Sequence, residues 1–62
     1  MRSIPPAVKK LLRQPKAYGL RSVDDAVFYL LMANWYGVDI EAITPDEIIS
    51  RYPVETFRKE FS

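Results

Sequence analysis

Two pairs of adjacent acids are the residues best placed to do chemistry in this chain. Asp24 and Asp25 form one pair, and Asp46 and Glu47 form the other. Two neighbouring carboxylates can divide acid and base roles between them. Each pair, however, also fits the first turn of a helix, where the helix dipole favours negative charge. The acids therefore have a structural explanation in both places.

The side chains that most enzymes use as nucleophile, base or metal ligand are missing. The chain has no histidine and no cysteine, which excludes the usual nucleophile–base pairs, thiolate zinc sites and disulfides. Gly19 and Gly37 stand alone, unlike the glycines of a phosphate-binding loop, and the acids lack the spacing of a calcium loop. We therefore expect a protein that is not an enzyme and has no cofactor, metal or small-molecule substrate.

Charge is segregated along the chain, although the net charge is only +1. Residues 1–21 hold six bases and no acid, and residues 22–50 hold six acids and no base. Two interpretations are open. In the simpler one, the two segments fold against each other and screen their charges. In the other, the basic segment forms a positive face that meets phosphate.

The longest element should be a helix over residues 22–37. Ser22 suits its N-cap and Gly37 suits its end. Within residues 26–36 the only plainly polar side chain is Asn34. Helices that are apolar on every side belong in the centre of a fold, so neighbouring helices should enclose this one. Asn34 then either lies near the helix end at the edge of the core or fixes the register of a contact between two copies.

Three shorter helices should pack around this central helix. Pro5-Pro6 predicts the start of one that ends before Pro15. Thr44-Pro45 predicts the start of another, and Pro53 separates it from the last. Repeats and linkers are absent, so we predict a single all-α domain over residues 1–62, a small bundle of three to four helices.

Three short helices cannot cover every side of the central one. Part of its surface should therefore remain for a second copy, as in a homodimer, or for another protein. Aromatic and methionine side chains are enriched at the centre of protein interfaces. The candidate interface residues are Phe28, Tyr29, Met32, Trp35 and Tyr36.

The segment AITPDEIISRYPVETFRKEF, residues 42–61, resembles the helix-turn-helix unit of bacterial and archaeal DNA-binding domains. The residues that match the positioning helix are Ile43, Thr44, Pro45, Glu47, Ile48 and Arg51. Those that match the recognition helix are Val54, Glu55, Thr56, Phe57, Arg58 and Lys59. The resemblance implies a DNA-binding regulator whose last helix enters the major groove, with basic residues near the N-terminus on phosphates. The candidate contacts to duplex DNA are Thr56, Arg58, Lys59, Arg51, Lys9, Lys10 and Arg13.

Neither a targeting segment nor a membrane span is predicted. The N-terminal stretch MRSIPPAVKKLL has prolines and charges where a signal peptide needs a continuous apolar run. The apolar run at residues 26–36 is well short of the roughly 20 residues that a spanning helix needs. We expect a cytoplasmic protein without a membrane partner.

Overall fold

The computed structural model describes residues 4–41 and 44–61, and these ranges fold into four α-helices. In chain order they are α1 (Pro6–Arg13), α2 (Val23–Trp35), α3 (Pro45–Arg51) and α4 (Val54–Phe61), with a 3₁₀ turn at Pro15–Tyr18 between α1 and α2. The described ranges contain no strand, which confirms the predicted all-α bundle. None of these helices has the length and apolar character needed to cross a membrane. Ala42 and Ile43, where the helix-turn-helix match begins, lie outside the described residues.

The two helices with the clearest predicted starts begin at their predicted caps. Ser22 Oγ accepts a hydrogen bond from the Asp25 N–H at 3.2 Å, and Thr44 Oγ1 accepts one from the Glu47 N–H at 3.2 Å. The Asp25 carboxylate also accepts the Arg21 N–H at 2.9 Å, one residue before the position that a capping box uses. The two bonds to the cap side chains satisfy backbone donors that the first turn of a helix leaves without partners.

Glycine in the left-handed conformation ends both the 3₁₀ turn and α2. Gly19 has φ +84° and Gly37 has φ +88°, values that residues with a Cβ rarely adopt. Gly37 was predicted as the end of the central helix. The first helix ends before Pro15, as predicted, and the chain continues as the 3₁₀ turn Pro15–Tyr18.

One side of α2 forms the centre of the core. Its buried residues are Ala26, Tyr29, Leu30 and Ala33, spaced i, i+3, i+4 and i+7, as one face of a helix requires. The other elements contribute the buried side chains of Ala7, Leu11, Leu20, Ile48, Tyr52 and Phe57. The opposite side of α2 is exposed. The prediction that its neighbours enclose this helix is therefore correct for one side only.

The Tyr29 side chain connects α2 to the end of α3 by hydrogen bonds. Its hydroxyl donates to the backbone carbonyl of Tyr52 and to that of Ile48, the latter at 3.3 Å. The Tyr52 carbonyl belongs to the C-cap of α3, where a helix leaves acceptors without partners, whereas the Ile48 carbonyl also accepts the Tyr52 N–H at 2.8 Å. The prediction that Tyr29 is an interface residue is wrong, because its side chain is fully buried.

Candidate interaction surface on the second helix

The side of α2 that faces away from the core carries a row of exposed apolar side chains. We call this row the outer face, and its members are Val23, Val27, Phe28, Leu31 and Trp35. Four of them are spaced four residues apart, so they follow one another along one side of the helix. Leu31 is 59% exposed and Trp35 is 83% exposed. Since no charged residue occurs within residues 26–36, most of this row has no charged side chain between its members.

The structure distributes the predicted interface residues between the outer face and the core. Phe28 and Trp35 lie on the outer face, and Tyr36 is exposed just after α2 ends. The Tyr36 hydroxyl donates to the Glu60 carboxylate of α4, which raises the pKa of Tyr36. Met32 is half-buried against the core. Four of the five predicted residues are therefore at least partly accessible.

Sequence reasoning missed the aliphatic part of the outer face. Val27 and Leu31 are exposed beside Trp35, and the four-residue spacing that leads back from Trp35 is the signal that points to them. It also missed the contribution of α4. The ring of Phe61 lies 4.7 Å from that of Phe28, centroid to centroid, and extends the apolar surface beyond α2.

A groove of about 230 Å³ runs between α1 and α2 and borders the outer face. We call it the α1–α2 groove. Asn34 is the only polar residue in its lining. An apolar cavity of about 150 Å³ is large enough to bind benzene, so this groove has room for an aromatic side chain. The lining residues are Val8, Leu12, Val27, Leu30, Leu31, Asn34 and Ile40.

Asn34 is exposed at the groove and takes no part in the core. Its backbone carbonyl accepts the Gly37 N–H at 3.0 Å, as expected near a helix end. Its side-chain amide makes no hydrogen bond to any described residue. One donor pair and one acceptor are therefore available at the edge of the groove.

Arg58, a predicted DNA contact, is held by α2 and the loop before it. Its guanidinium donates two hydrogen bonds to the Asp25 carboxylate, at 2.8 Å and 2.6 Å, and a third to the Gly19 carbonyl at 3.3 Å. It also lies over the Phe57 ring, 5.5 Å from the centroid. The bonds from Arg58 lower the pKa of Asp25, while burial opposes them. This arrangement gives Arg58 a structural role that joins α4 to the first turn of α2.

The other predicted contacts on the C-terminal helices remain accessible. Thr56 and Lys59 are exposed on α4, and Arg51 is exposed at the end of α3. Glu55 and Glu60 are also exposed, so the accessible side of α4 has more acid than base. Two residues separate α3 from α4, whereas a helix-turn-helix typically has a turn of three to four residues.

The remaining predicted contacts lie on α1. Lys9, Lys10 and Arg13 are exposed on the side of α1 away from its buried residues, and no acid in the described ranges pairs with them. They give the exposed side of α1 a basic character. In the same ranges no three acidic side chains come together as metal ligands would.

The outer face, the groove and the distribution of charge are the features from which function must be inferred. The helix-turn-helix resemblance of residues 42–61 stays a prediction. No protein-family model, curated protein sequence or solved structure matches this chain.

Proposed function

We propose that this chain is a small helical interaction module that forms a homodimer through the outer face of α2. The observation that carries the proposal is the 83% exposure of Trp35 within a row of exposed apolar side chains. Soluble monomers rarely expose large contiguous apolar patches, and such patches mark interaction sites. Trp is also among the residues that contribute most to binding when an interface buries them.

Burial of the apolar side chains of the outer face supplies the free energy that favours dimerisation. Complete burial of an apolar side chain such as Leu31 is worth about 1.5–3 kcal/mol relative to exposure. In a two-fold symmetric dimer each residue of the face is used twice, once by each copy. The desolvation cost of forming the interface is small, because the middle of the row has no charged group that would lose its hydrogen bonds to water.

Two general properties of the chain favour a second copy as the partner. The net charge of +1 gives only weak repulsion between copies. A chain of 62 residues also buries only about 60% of the surface that its unfolded form exposes, and oligomerisation is one of the ways in which small domains gain stability.

Sedimentation equilibrium across micromolar to millimolar concentrations tests this function. We expect the wild type to reach the mass of a dimer and Leu31→Glu to stay monomeric, because the new carboxylate would have to be buried in the interface. Leu31 is largely exposed in the single chain, so circular dichroism should show an unchanged helical fold.

Ser50→Glu is the matched control for this experiment. Ser50 is exposed on α3, and its exchange adds the same charge away from the outer face. We expect this variant to dimerise as the wild type does. A wild type that stays monomeric at millimolar concentration, or a Leu31→Glu variant that dimerises with unchanged affinity, contradicts the proposal.

Duplex DNA is a second candidate partner, supported by Lys9, Lys10 and Arg13 of α1, which are exposed and pair with no acid among the described residues. Fluorescence anisotropy of a labelled duplex should show binding at low salt that weakens steeply as salt is added. Lys10→Gln should weaken this binding more than Ser50→Glu, although both lower the net charge by one. Absence of binding at low salt would rule this candidate out.

A further inference from the structure

We infer that Trp35 of each copy inserts into the α1–α2 groove of the other, where its indole N–H donates to the Asn34 carboxamide. This inference rests on the proposed homodimer and identifies how the two copies recognise each other. It makes the groove a binding site for an aromatic side chain that a second copy contributes.

The groove and the indole have matching size and character. The groove measures about 230 Å³ and its lining is apolar apart from Asn34. A site of about 150 Å³ already accommodates benzene, and an indole is a benzene ring with a fused five-membered ring. The apolar body of Trp35 would therefore gain burial that it lacks in the single chain, where it is 83% exposed.

Trp35 does not fill the groove of its own chain. Successive residues of an α-helix point about 100° apart, so Trp35 and Asn34 face different directions from α2. The indole stands outside, on the outer face, while Asn34 borders the groove. One chain thus displays a projecting aromatic ring and an open apolar groove on adjoining surfaces. When two copies meet there, each can bury its ring in the groove of the other.

Asn34 supplies the polar contact that a buried tryptophan needs. The indole N–H can only donate, and it usually finds an acceptor when the ring is buried. The Asn34 side chain makes no hydrogen bond to any described residue, and its carbonyl oxygen is an acceptor at the edge of the groove. This contact would also fix the register of the two copies, because only one alignment joins each indole to an amide.

The distribution of charge favours an arrangement in which α2 of a second copy lies across the α1–α2 groove. Helix α1 carries Lys9, Lys10 and Arg13 and no acid, whereas α2 carries no base and its exposed Asp24 is not taken up by Arg58 as Asp25 is. An α2 helix that lies over the groove therefore brings an acid-bearing helix towards a base-bearing one. Complementary charge at the rim of an apolar contact speeds association and selects the partner.

A double-mutant cycle measured by sedimentation equilibrium tests the hydrogen bond. Trp35→Phe keeps an aromatic ring but removes the N–H, and we expect the dimer to weaken about tenfold. Asn34→Leu removes the acceptor. In the Asn34→Leu background, Trp35→Phe should cause a clearly smaller further loss, because the hydrogen bond is already absent and only the greater burial of the indole remains to be lost. Independent, additive effects of the two exchanges would overturn this contact.

Isotope-filtered NMR on a mixture of labelled and unlabelled chains locates the indole. We expect intermolecular nuclear Overhauser effects between Trp35 ring protons and the methyl groups of Val8 and Leu12. A wild-type dimer without these contacts overturns the inference and leaves the proposed homodimer standing. The same contacts found only within one chain overturn it as well. A protein that is monomeric throughout overturns the homodimer itself and the inference with it.

Discussion

Tyr29 and Tyr52 are stacked in the core, with ring centroids 5.3 Å apart, but their hydroxyls differ in hydrogen bonding. The Tyr29 hydroxyl donates to the carbonyls of Ile48 and Tyr52. The Tyr52 hydroxyl is buried and has no hydrogen-bond partner within the described part of the chain. Burial raises the pKa of both residues, because it disfavours the charged phenolate.

The same exchange should therefore have opposite effects at these two positions. Tyr29→Phe should lower the free energy of unfolding by about 1–3 kcal/mol, since it leaves the Tyr52 carbonyl without the hydroxyl that donates to it, whereas the Ile48 carbonyl keeps the Tyr52 N–H as its donor. Tyr52→Phe should raise it by about 1 kcal/mol, since it removes a buried polar group that has no partner. Urea unfolding measures both, and effects of the same sign would contradict these roles.

The ion pair between Asp25 and Arg58 should make stability depend on acid pH. Arg58 holds the pKa of Asp25 below its ordinary value, so the contribution is complete above about pH 4, the unfolded-state pKa, and is lost as pH falls through the native pKa. The unfolding free energy of the wild type should exceed that of Arg58→Gln at neutral pH, and the gap should narrow in acid. Lys59→Gln removes the same charge from an exposed neighbour and should show no such narrowing.

This ion pair marks a limit of prediction from the sequence at the scale of single residues. Arg58 and Asp25 are 33 positions apart, and nothing local to either residue indicates the other. Asp25 was predicted correctly as a first-turn acid, because that role depends on neighbours in the chain. Arg58 was predicted as a DNA contact, and its pairing with α2 follows only once the helices are assembled.

At the scale of elements, local chemistry predicts most of the fold. The structure confirms the boundaries predicted from the caps at Ser22 and Thr44 and from Gly37, which has a positive φ. Each of these signals acts within one helical turn, so it does not depend on tertiary packing.

Replacement of the cap at the start of α2 tests this local control. Ser22→Ala should lower the free energy of unfolding by about 1 kcal/mol, whereas Ser22→Gly should cost only a few tenths. The difference arises because alanine can neither accept the Asp25 N–H nor leave it open to water as glycine does. Thermal or urea unfolding of the two variants checks the order, and an alanine variant as stable as the glycine variant would contradict it.

The orientation of α2 was not predictable in the same way. Its inner residues repeat at helical spacing, but the outer residues are also apolar, so hydropathy does not distinguish the two sides. Ala26 and Ala33 on the inner side are the one available signal, because small side chains let neighbouring elements approach closely. Tyr29 is three residues after Ala26 and four before Ala33, so it lies on the same side of the helix. This position explains why Tyr29 is a core residue and not an interface residue.

At the scale of the whole molecule, the bundle leaves one apolar side open. Its other helices cover the inner side of α2, and the outer face and the α1–α2 groove lie next to each other beyond them. The sequence predicted that some of this helix would remain uncovered, from the small number of helices available to surround it. It did not predict the groove, because Val8 and Ile40 meet α2 only in the folded chain.

Quenching of Trp35 fluorescence by acrylamide, followed as the protein concentration rises, tests the central claim most directly. Trp35 is the only tryptophan in the chain, so the signal reports the outer face alone. We expect strong quenching in dilute solution and progressive protection, with a blue-shifted emission, as the copies associate. Quenching that stays strong and unchanged up to millimolar protein would contradict the claim that this face binds a second copy.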